Sequence, residues 1–302
     1  MTTPAYHYPA LLNECITALN ISPDSIIVDA TFGGGGHSRG IIKHLGDDGH
    51  LYGFDQDMDA YQNRIDDPKF TFVHGNFAFI TNFLRYYGNP VVDGILADLG
   101  VSFHHFDDPT RGFSFRFEGP LDMRMNKNSA LSAQHIVNDY TEEQLTTLFR
   151  LYGDLPKAHL FARAIAKARA KAPITTTEQL CSIVQPLIKP DKEKKERAQV
   201  FQAIRIEVNH EIDALKALLQ QSIKVLRPGG RIAIITYHSI EDKLVKNFFR
   251  AGNIEGNIEK DFFGRVNAPF KLINSKVITP SDEEVERNPR ARSAKLRIAE
   301  KL

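Results

Sequence analysis

The residues able to do chemistry crowd into four short stretches. The first is Asp29-Ala30-Thr31-Phe32-Gly33-Gly34-Gly35-Gly36-His37-Ser38, four consecutive glycines between an acid and a His-Ser pair. Glycines at that density let the backbone approach a ligand closely and take positive φ. Their amides, beside a helix start, suit a carboxylate or phosphate. Two phosphate loops are excluded. A P-loop requires Lys after its last glycine, but Gly35-Gly36-His37-Ser38-Arg39-Gly40 runs on into Ile41, and Gly33, Gly34 and Gly35 cannot supply all the spacings of G-x-G-x-x-G. In the second stretch, Gly53-Phe54-Asp55-Gln56-Asp57, the Asp55 carboxylate can accept both hydroxyls of a ribose, which indicates a nucleoside without saying which. The third and fourth, Ala97-Asp98-Leu99-Gly100-Val101-Ser102 and Thr236-Tyr237-His238-Ser239, each close an apolar run with polar groups.

To meet at one rim, these stretches must end parallel strands. Ser25–Ala30, Leu51–Asp55, Phe70–His74 and Val92–Asp98 read as short buried strands. Helix-length segments lie between them near Ser38–Leu45, Met58–Ile65 and Phe77–Tyr86. Such alternation implies right-handed crossovers and a doubly wound sheet, with ligands at the carboxyl ends of its strands. A fifth strand, Arg231–Tyr237, follows a helix ending at Leu226 and the turn Arg227-Pro228-Gly229-Gly230. Lys271–Ile278 and Ala294–Ala299 are expected as two more. Between the fourth and fifth strands the chain reads as helices at Ser132–Asn138, Glu142–Tyr152, Lys157–Lys171 and Thr177–Val184, with Lys189–Arg197 as a solvated linker or helix end. That length is too great for a loop. The expected organisation is a discontinuous sheet domain over residues 1–103 and 210–302, with a helical insert over 104–209.

Composition narrows the class. Of 302 residues 42% are apolar and 25% charged, which excludes wholesale disorder. No apolar run approaches the length of a membrane span, and Met1–His7 lacks the pattern of a secretory signal, so a cytoplasmic location is expected. Two cysteines exclude a disulfide framework and a cysteine-rich zinc site. His104-His105 has no acidic or cysteine partners at ligand spacing, so no metal is expected. The formal net charge is only +1, but Lys157–Ala172 holds five Lys or Arg and no acid, and Arg287–Lys301 holds six against one Glu. Two basic patches sit in a neutral chain.

Asp29 with glycines four and six positions later resembles the S-adenosylmethionine loop of Rossmann-like methyltransferases. Eight segments in order extend the likeness nearly end to end: 29–38, 53–57, 97–102, DDPTRGFSF (107–115), GPLDMRM (119–125), FQAIRIEVN (201–209), YHSIEDKLVK (237–246) and NPRARSAKLRIAE (288–300). Together they resemble the RsmH (MraW) family of methyltransferases acting on N4 of a cytidine in small-subunit (16S) ribosomal RNA. The resemblance implies an α/β, Rossmann-like, S-adenosylmethionine-dependent sheet with a helical domain inserted after strand four. It places Gly35, Gly36 and His37 around the methionine part of the cofactor, Asp55 on the ribose, Phe77 beside the adenine and Asp98 near the sulfonium and target amine. Two positions depart from the family. His105 stands where many members have Gln, and Tyr237 where many have Phe.

The residues limit the methylation. Attack at C5 of a pyrimidine usually needs a cysteine thiolate, and neither Cys15 nor Cys181 falls at a strand end. An exocyclic amine needs no covalent step, only an acceptor for its N–H, and Asp98 is the expected one. Phe103 or Tyr237 is expected to stack on the extruded base. Phosphate contacts are expected from Lys157, Arg163 and Lys167 on the insert, from Arg111 in the aromatic RGFSF segment, and from Arg290 and Arg292. A solvated helix face is the plain alternative for these charges. The near-neutral charge favours an assembled small subunit over naked RNA as the partner. Competing readings are a methyltransferase on another amine, a non-catalytic RNA-binding assembly factor, and a dehydrogenase.

Overall fold

In the computed structural model, which describes residues 8–258, 260, 268–274 and 276–302, the side chains of Phe103 and His104 excepted, the strand-and-helix alternation becomes a seven-stranded sheet. The chain divides into two compact units, one of residues 1–100 and 212–302, the other of 101–211.

In the first unit, helix α1 (Leu12–Leu19) precedes β1 (Ile26–Asp29). Helix α2 (Gly36–Ile41) leads to β2 (His50–Asp55), then β3 (Phe70–His74), α3 (Ile80–Tyr86) and β4 (Val92–Asp98). The second unit carries α4 (Phe103–Asp107), α5 (Ala133–Asp139), α6 (Glu142–Leu151), α7 (Ala158–Arg169), α8 (Thr177–Val184) and α9 (Glu193–Val208). The chain returns through α10 (Glu211–Val225) to β5 (Leu226–Thr236), α11 (Ser239–Ala251), β6 (Phe270–Leu272), α12 (Asp282–Arg287) and β7 (Lys295–Lys301).

The sheet order is β3-β2-β1-β4-β5-β7-β6. The first five strands are parallel, and β7 runs antiparallel to both β5 and β6. Strand order reverses between β1 and β4, the switch point where open α/β sheets bind ligands. The strands read as near-continuous apolar runs because both faces are covered. Alternate residues feed two cores: Val28 and Ile95 pack with Leu218 of α10 and Phe248 of α11, while Ile27 and Leu96 pack with Cys15 of α1 and Ile41 of α2.

The structure refines several expected elements. Met58–Asn63 is a 3-10 helix begun by Asp57, whose side chain accepts from the Asp59 amide at 3.0 Å. Strand β5 begins at Leu226. The residues read as a turn form a bulge, with Leu226 opposite Val92, Arg231 opposite Gly94, and Gly229 at φ 80. Of the described residues of Lys271–Ile278, only Lys271 and Leu272 belong to a strand, β6, and Ile278 makes an isolated bridge to Leu296. Lys189–Arg197 is a helix start: a 3-10 turn over Pro190–Lys192 runs into α9, where Arg197 pairs with Glu193 at 3.0 Å.

The second unit closes around its own core, including Phe149, Phe161, Leu180, Val200 and Ile204. Its long loop before α5 is braced by side chains. Asn209 accepts from the Met125 amide at 2.7 Å and donates to the Met123 carbonyl at 2.8 Å, holding Met123 at φ 61. Among the described residues no helix is long and apolar enough to cross a membrane.

Candidate methyl-transfer site

The glycine loop leaves β1 and is tied down from below. Asp29, buried at the strand end, accepts from the Thr31 amide at 3.1 Å and from the Ser38 hydroxyl at 2.6 Å, so it builds the loop. Burial raises its pKa, opposed by His37 and those two hydrogen bonds. Arg39 clamps the loop from the far side, donating to the Gly34 carbonyl at 2.6 Å and to the Asn63 carbonyl at 2.8 Å. Gly35 takes φ 73, and a Cβ there would stand 2.9 Å from the Phe32 ring and 2.6 Å from Arg39 Nη1. The loop therefore requires glycine at that turn for conformation and space alike.

Asp55, at the end of β2, reaches across to this loop. One oxygen accepts from the Gly33 amide and the other from the Asp57 amide, each at 2.8 Å. A carboxylate oxygen has two acceptor positions, so both remain able to take a hydroxyl. Burial pushes the carboxyl up to about 6, against the pull of the two amides. Phe77 opens a 3-10 turn just after β3, fixed by Asn76, whose Oδ1 accepts from the Ala78 amide at 2.8 Å. It is half-buried at the same edge of the sheet.

Asp98 ends β4 between two partners. Its amide donates to the Thr31 hydroxyl at 2.6 Å, seating the strand end against the loop. The Tyr237 hydroxyl donates to Oδ1 at 2.8 Å, and His37 Nδ1 lies 3.8 Å from Oδ2. The side chain is 24% exposed. Burial raises its pKa to about 6, opposed by His37 and the Tyr237 hydrogen bond. Tyr237 itself is held far above its usual pKa by burial and by the adjacent carboxylate. A carboxylate poised near 6 is ionised at neutral pH yet basic enough to accept a proton from a reacting group.

Gly35, Gly36, His37, Asp55, Phe77 and Asp98 thus gather at the carboxyl edge of the sheet in one unit. Sequence reasoning missed how they are held. Tyr237, considered there as a base stack, grips Asp98, and Thr31 positions the strand end. His238 caps α11 in a reciprocal pair with Glu241. No local signal in the sequence points to the Tyr237–Asp98 pair, which spans 139 positions.

His105 belongs to the second unit, buried there with its ring stacked on Phe113 at 4.9 Å and Nδ1 3.1 Å from the Ser102 hydroxyl. The expectation for Arg111 is corrected. It is 4% exposed and donates to the Arg124 and Met125 carbonyls at 2.8 and 3.0 Å, so it fixes the loop and offers no charge to a phosphate. Lys157, Arg163 and Lys167 are exposed at the start of α7 and along it, Arg163 paired with Glu142 at 3.4 Å. Arg290 and Arg292 are exposed on the 3-10 turn Pro289–Ser293. Phe103, the alternative base stack, has a side chain outside the described residues.

Comparison with known proteins places this geometry. The family model described as the MraW methylase family matches residues 4–302. Ribosomal RNA small subunit methyltransferase H of Parabacteroides distasonis is 59% identical over 298 residues, covering 98% of each chain. The protein of the same name from Flavobacterium johnsoniae is 52% identical over 301 residues, covering 100% of this chain and 99% of its own. Among solved structures, TrmN from Thermus thermophilus aligns with 97% of this chain at 12% identity and a TM-score of 0.45; the chain spans 48% of that protein.

Proposed function

We propose, from the premise that this chain belongs to the MraW methylase family and is an S-adenosylmethionine-dependent methyltransferase, that its acceptor is the exocyclic N4 amine of a cytidine in small-subunit (16S) ribosomal RNA near the decoding centre. Transfer is direct, with no covalent bond between enzyme and base. Bound S-adenosylmethionine supplies an electrophilic methyl group on a sulfonium. The site residues fit that cofactor: the side-chain-free backbone of Gly35 and Gly36 with the His37 amide would hold the methionine part, the remaining acceptor positions of Asp55 would take the ribose hydroxyls, and Phe77 would lie beside the adenine. His105 stands at the family's Gln position.

One observation carries the reading of the chemistry. Asp98 ends β4 at the switch point, partly open to solvent, with its carboxyl near pKa 6 and one oxygen already held by Tyr237. The lone pair of a cytidine N4 amine is delocalised into the ring, and a carboxylate accepting its N–H localises that pair toward the methyl. Alignment of the reactants can contribute about 7–11 kcal/mol. The two cysteines are both buried, Cys15 under the sheet and Cys181 in the second unit, so neither offers the thiolate that C5 chemistry needs.

The relatives' names supply the substrate class, and the exposed cations Lys157, Arg163, Lys167, Arg290 and Arg292 supply the charge for phosphates. The test uses methyl-labelled cofactor with three acceptors offered separately: small subunits from cells lacking the enzyme, naked ribosomal RNA, and DNA. N4-methylcytidine from subunits is the expected product. A different methylated nucleoside, or label only in DNA, overturns the assignment.

A further inference from the structure

A strap formed by Tyr8–Leu11 lies against the glycine loop, held by the C-terminal segment. The Glu284 carboxylate accepts from the Leu11 amide at 2.7 Å, and Asn288 donates to the Tyr8 carbonyl at 2.9 Å. Both anchoring side chains are buried, Leu11 is held at φ 53, and Pro9 rests where a Cβ on Gly36 would be. Between the two anchors the Ala10 carbonyl meets His37 Nε2 at 2.9 Å. A carbonyl only accepts, so Nε2 carries the hydrogen. In the neutral ring Nδ1 is then bare, and it is this nitrogen that faces Asp98 Oδ2 at 3.8 Å. Two lone pairs face each other until a proton joins them.

We propose that His37 is the positioning residue that receives, through Asp98, the proton shed by the methylated amine, and that the strap sets its tautomer for that task. The inference rests on the reading of Asp98 as the acceptor of the amine N–H. As the amine nitrogen takes the methyl carbon, its lone pair forms the N–C bond, the C–S electrons stay on sulfur, and the nitrogen is left cationic. It gives one proton to the Asp98 carboxylate. A closing movement of about 1 Å brings Oδ2 to hydrogen-bond distance of Nδ1, and the proton passes to the imidazole, leaving an imidazolium beside a regenerated carboxylate.

The other groups facing Asp98 cannot take that proton. From β1, Asp29 is buried and turns its oxygens to the Thr31 amide and the Ser38 hydroxyl, below the loop. From the end of β5, the Tyr237 hydroxyl already donates its own proton to Asp98. From α11, Glu241 accepts from the Tyr237 amide at 3.0 Å and sits 3.2 Å from His238. From α1, the Cys15 thiol is fully buried and pushed well above its ordinary pKa.

The test compares His37→Gln with the unaltered enzyme. Gln offers an amide N–H toward Ala10 but no base toward Asp98. Single-turnover methyl transfer at saturating cofactor and pH 7 is expected to fall about 10- to 100-fold. An unchanged rate, or a loss that more cofactor restores, overturns the proposal. Nitrogen NMR on the unaltered protein stands independently of that variant's folding: the expected signal is a neutral His37 with its hydrogen on Nε2, and the opposite tautomer overturns the proposal. Product nucleosides are identified separately in the unaltered enzyme, so a product other than N4-methylcytidine defeats the substrate reading without touching either result.

Discussion

The two units treat buried polar groups in opposite ways. In the sheet unit three carboxylates close strands or begin the glycine loop without a guanidinium or ammonium partner, and burial raises all three. In the helical unit the polar groups are tied off. Arg111 is spent on two carbonyls, and Asn209 braces the Met123 and Met125 backbone. Asp122 is gripped by a fork from Arg124, and despite partial burial those hydrogen bonds and that charge hold it below the usual carboxylate range. An acid desolvated without a cation costs stability and stays available to react, whereas a paired one stabilises and is inert. The contrast sets the three desolvated acids of the sheet unit apart from the tied-off polar groups of the helical unit.

The largest expected effect is at Asp98. Asp98→Asn should lower turnover about 10²- to 10⁴-fold with cofactor affinity little changed. The same variant should be more stable than the wild type at pH 8. The carboxyl titrates near 6 in the folded protein, above its ordinary 3.8. Its stabilising, protonated form is thus complete below the unfolded value and lost as pH rises through 6. Removing the charge recovers about 2–3 kcal/mol at pH 8, and urea midpoints should show that gain shrinking toward pH 4. Asp122 titrates with the opposite sign, its contribution being present above the unfolded value and lost as pH falls. A destabilised Asp98→Asn at pH 8 would break the comparison.

A pair of glycines separates the units next. Gly35 and Gly112 both hold positive φ, 73 and 70. Gly35→Ala should weaken cofactor binding about tenfold or more, since left-handed backbone costs a Cβ about 1–2 kcal/mol and the Phe32 ring crowds it. Gly112→Ala meets the Pro120 carbonyl and should destabilise the helical unit by more than about 2 kcal/mol. Calorimetric titration of each is expected to show a cofactor defect in the first alone. A defect in the second as well would break that separation.

The Tyr237 hydroxyl gives a smaller, pH-dependent effect. Its hydrogen bond lowers the Asp98 pKa, so Tyr237→Phe lets it rise by about one unit. The rate at pH 6 should then fall about fivefold while that at pH 8 is nearly unchanged. A loss equal at both pH values would make the ring, and not the hydroxyl, the contributor, returning Tyr237 to the role of base stack.

How much of this was legible depends on sequence distance. Parallel strands announce themselves as apolar runs, and an acid closing such a run must lie at the carboxyl edge, so Asp29, Asp55 and Asp98 were all placed correctly from local pattern. What an acid then bonds to is a long-range matter. Asp29 closes its run as the other two do, and it proves to hold Ser38. Glu284 gives no hint that it anchors Leu11, 273 positions away. Helix α1 is eight residues long and begins without a side-chain cap, so no start signal marks it in the sequence. Arg111 was misread because a cation among aromatics resembles an RNA contact, and only the folded loop reveals two carbonyls waiting for it. Local pattern positions the reactive groups, while their tuning comes from partners that only the fold supplies.

The smallest effect tests the recognition side of the comparison. Arg163 is 70% exposed, and its contact with the 40% exposed Glu142 is a surface pair worth about 0–1 kcal/mol. Arg163→Ala and Lys167→Ala should therefore leave the melting temperature and kcat alone and raise KM for the ribosomal substrate a few-fold. Each cation lost from a phosphate contact also lowers the slope of log KM against log salt by about 0.7–0.9. Glu142→Gln acts in reverse, because Arg163 no longer divides its charge between a carboxylate and a phosphate, and KM should fall. A face that merely dissolves in water would show neither the salt slope nor the opposed signs, so the three variants together decide whether α7 meets RNA.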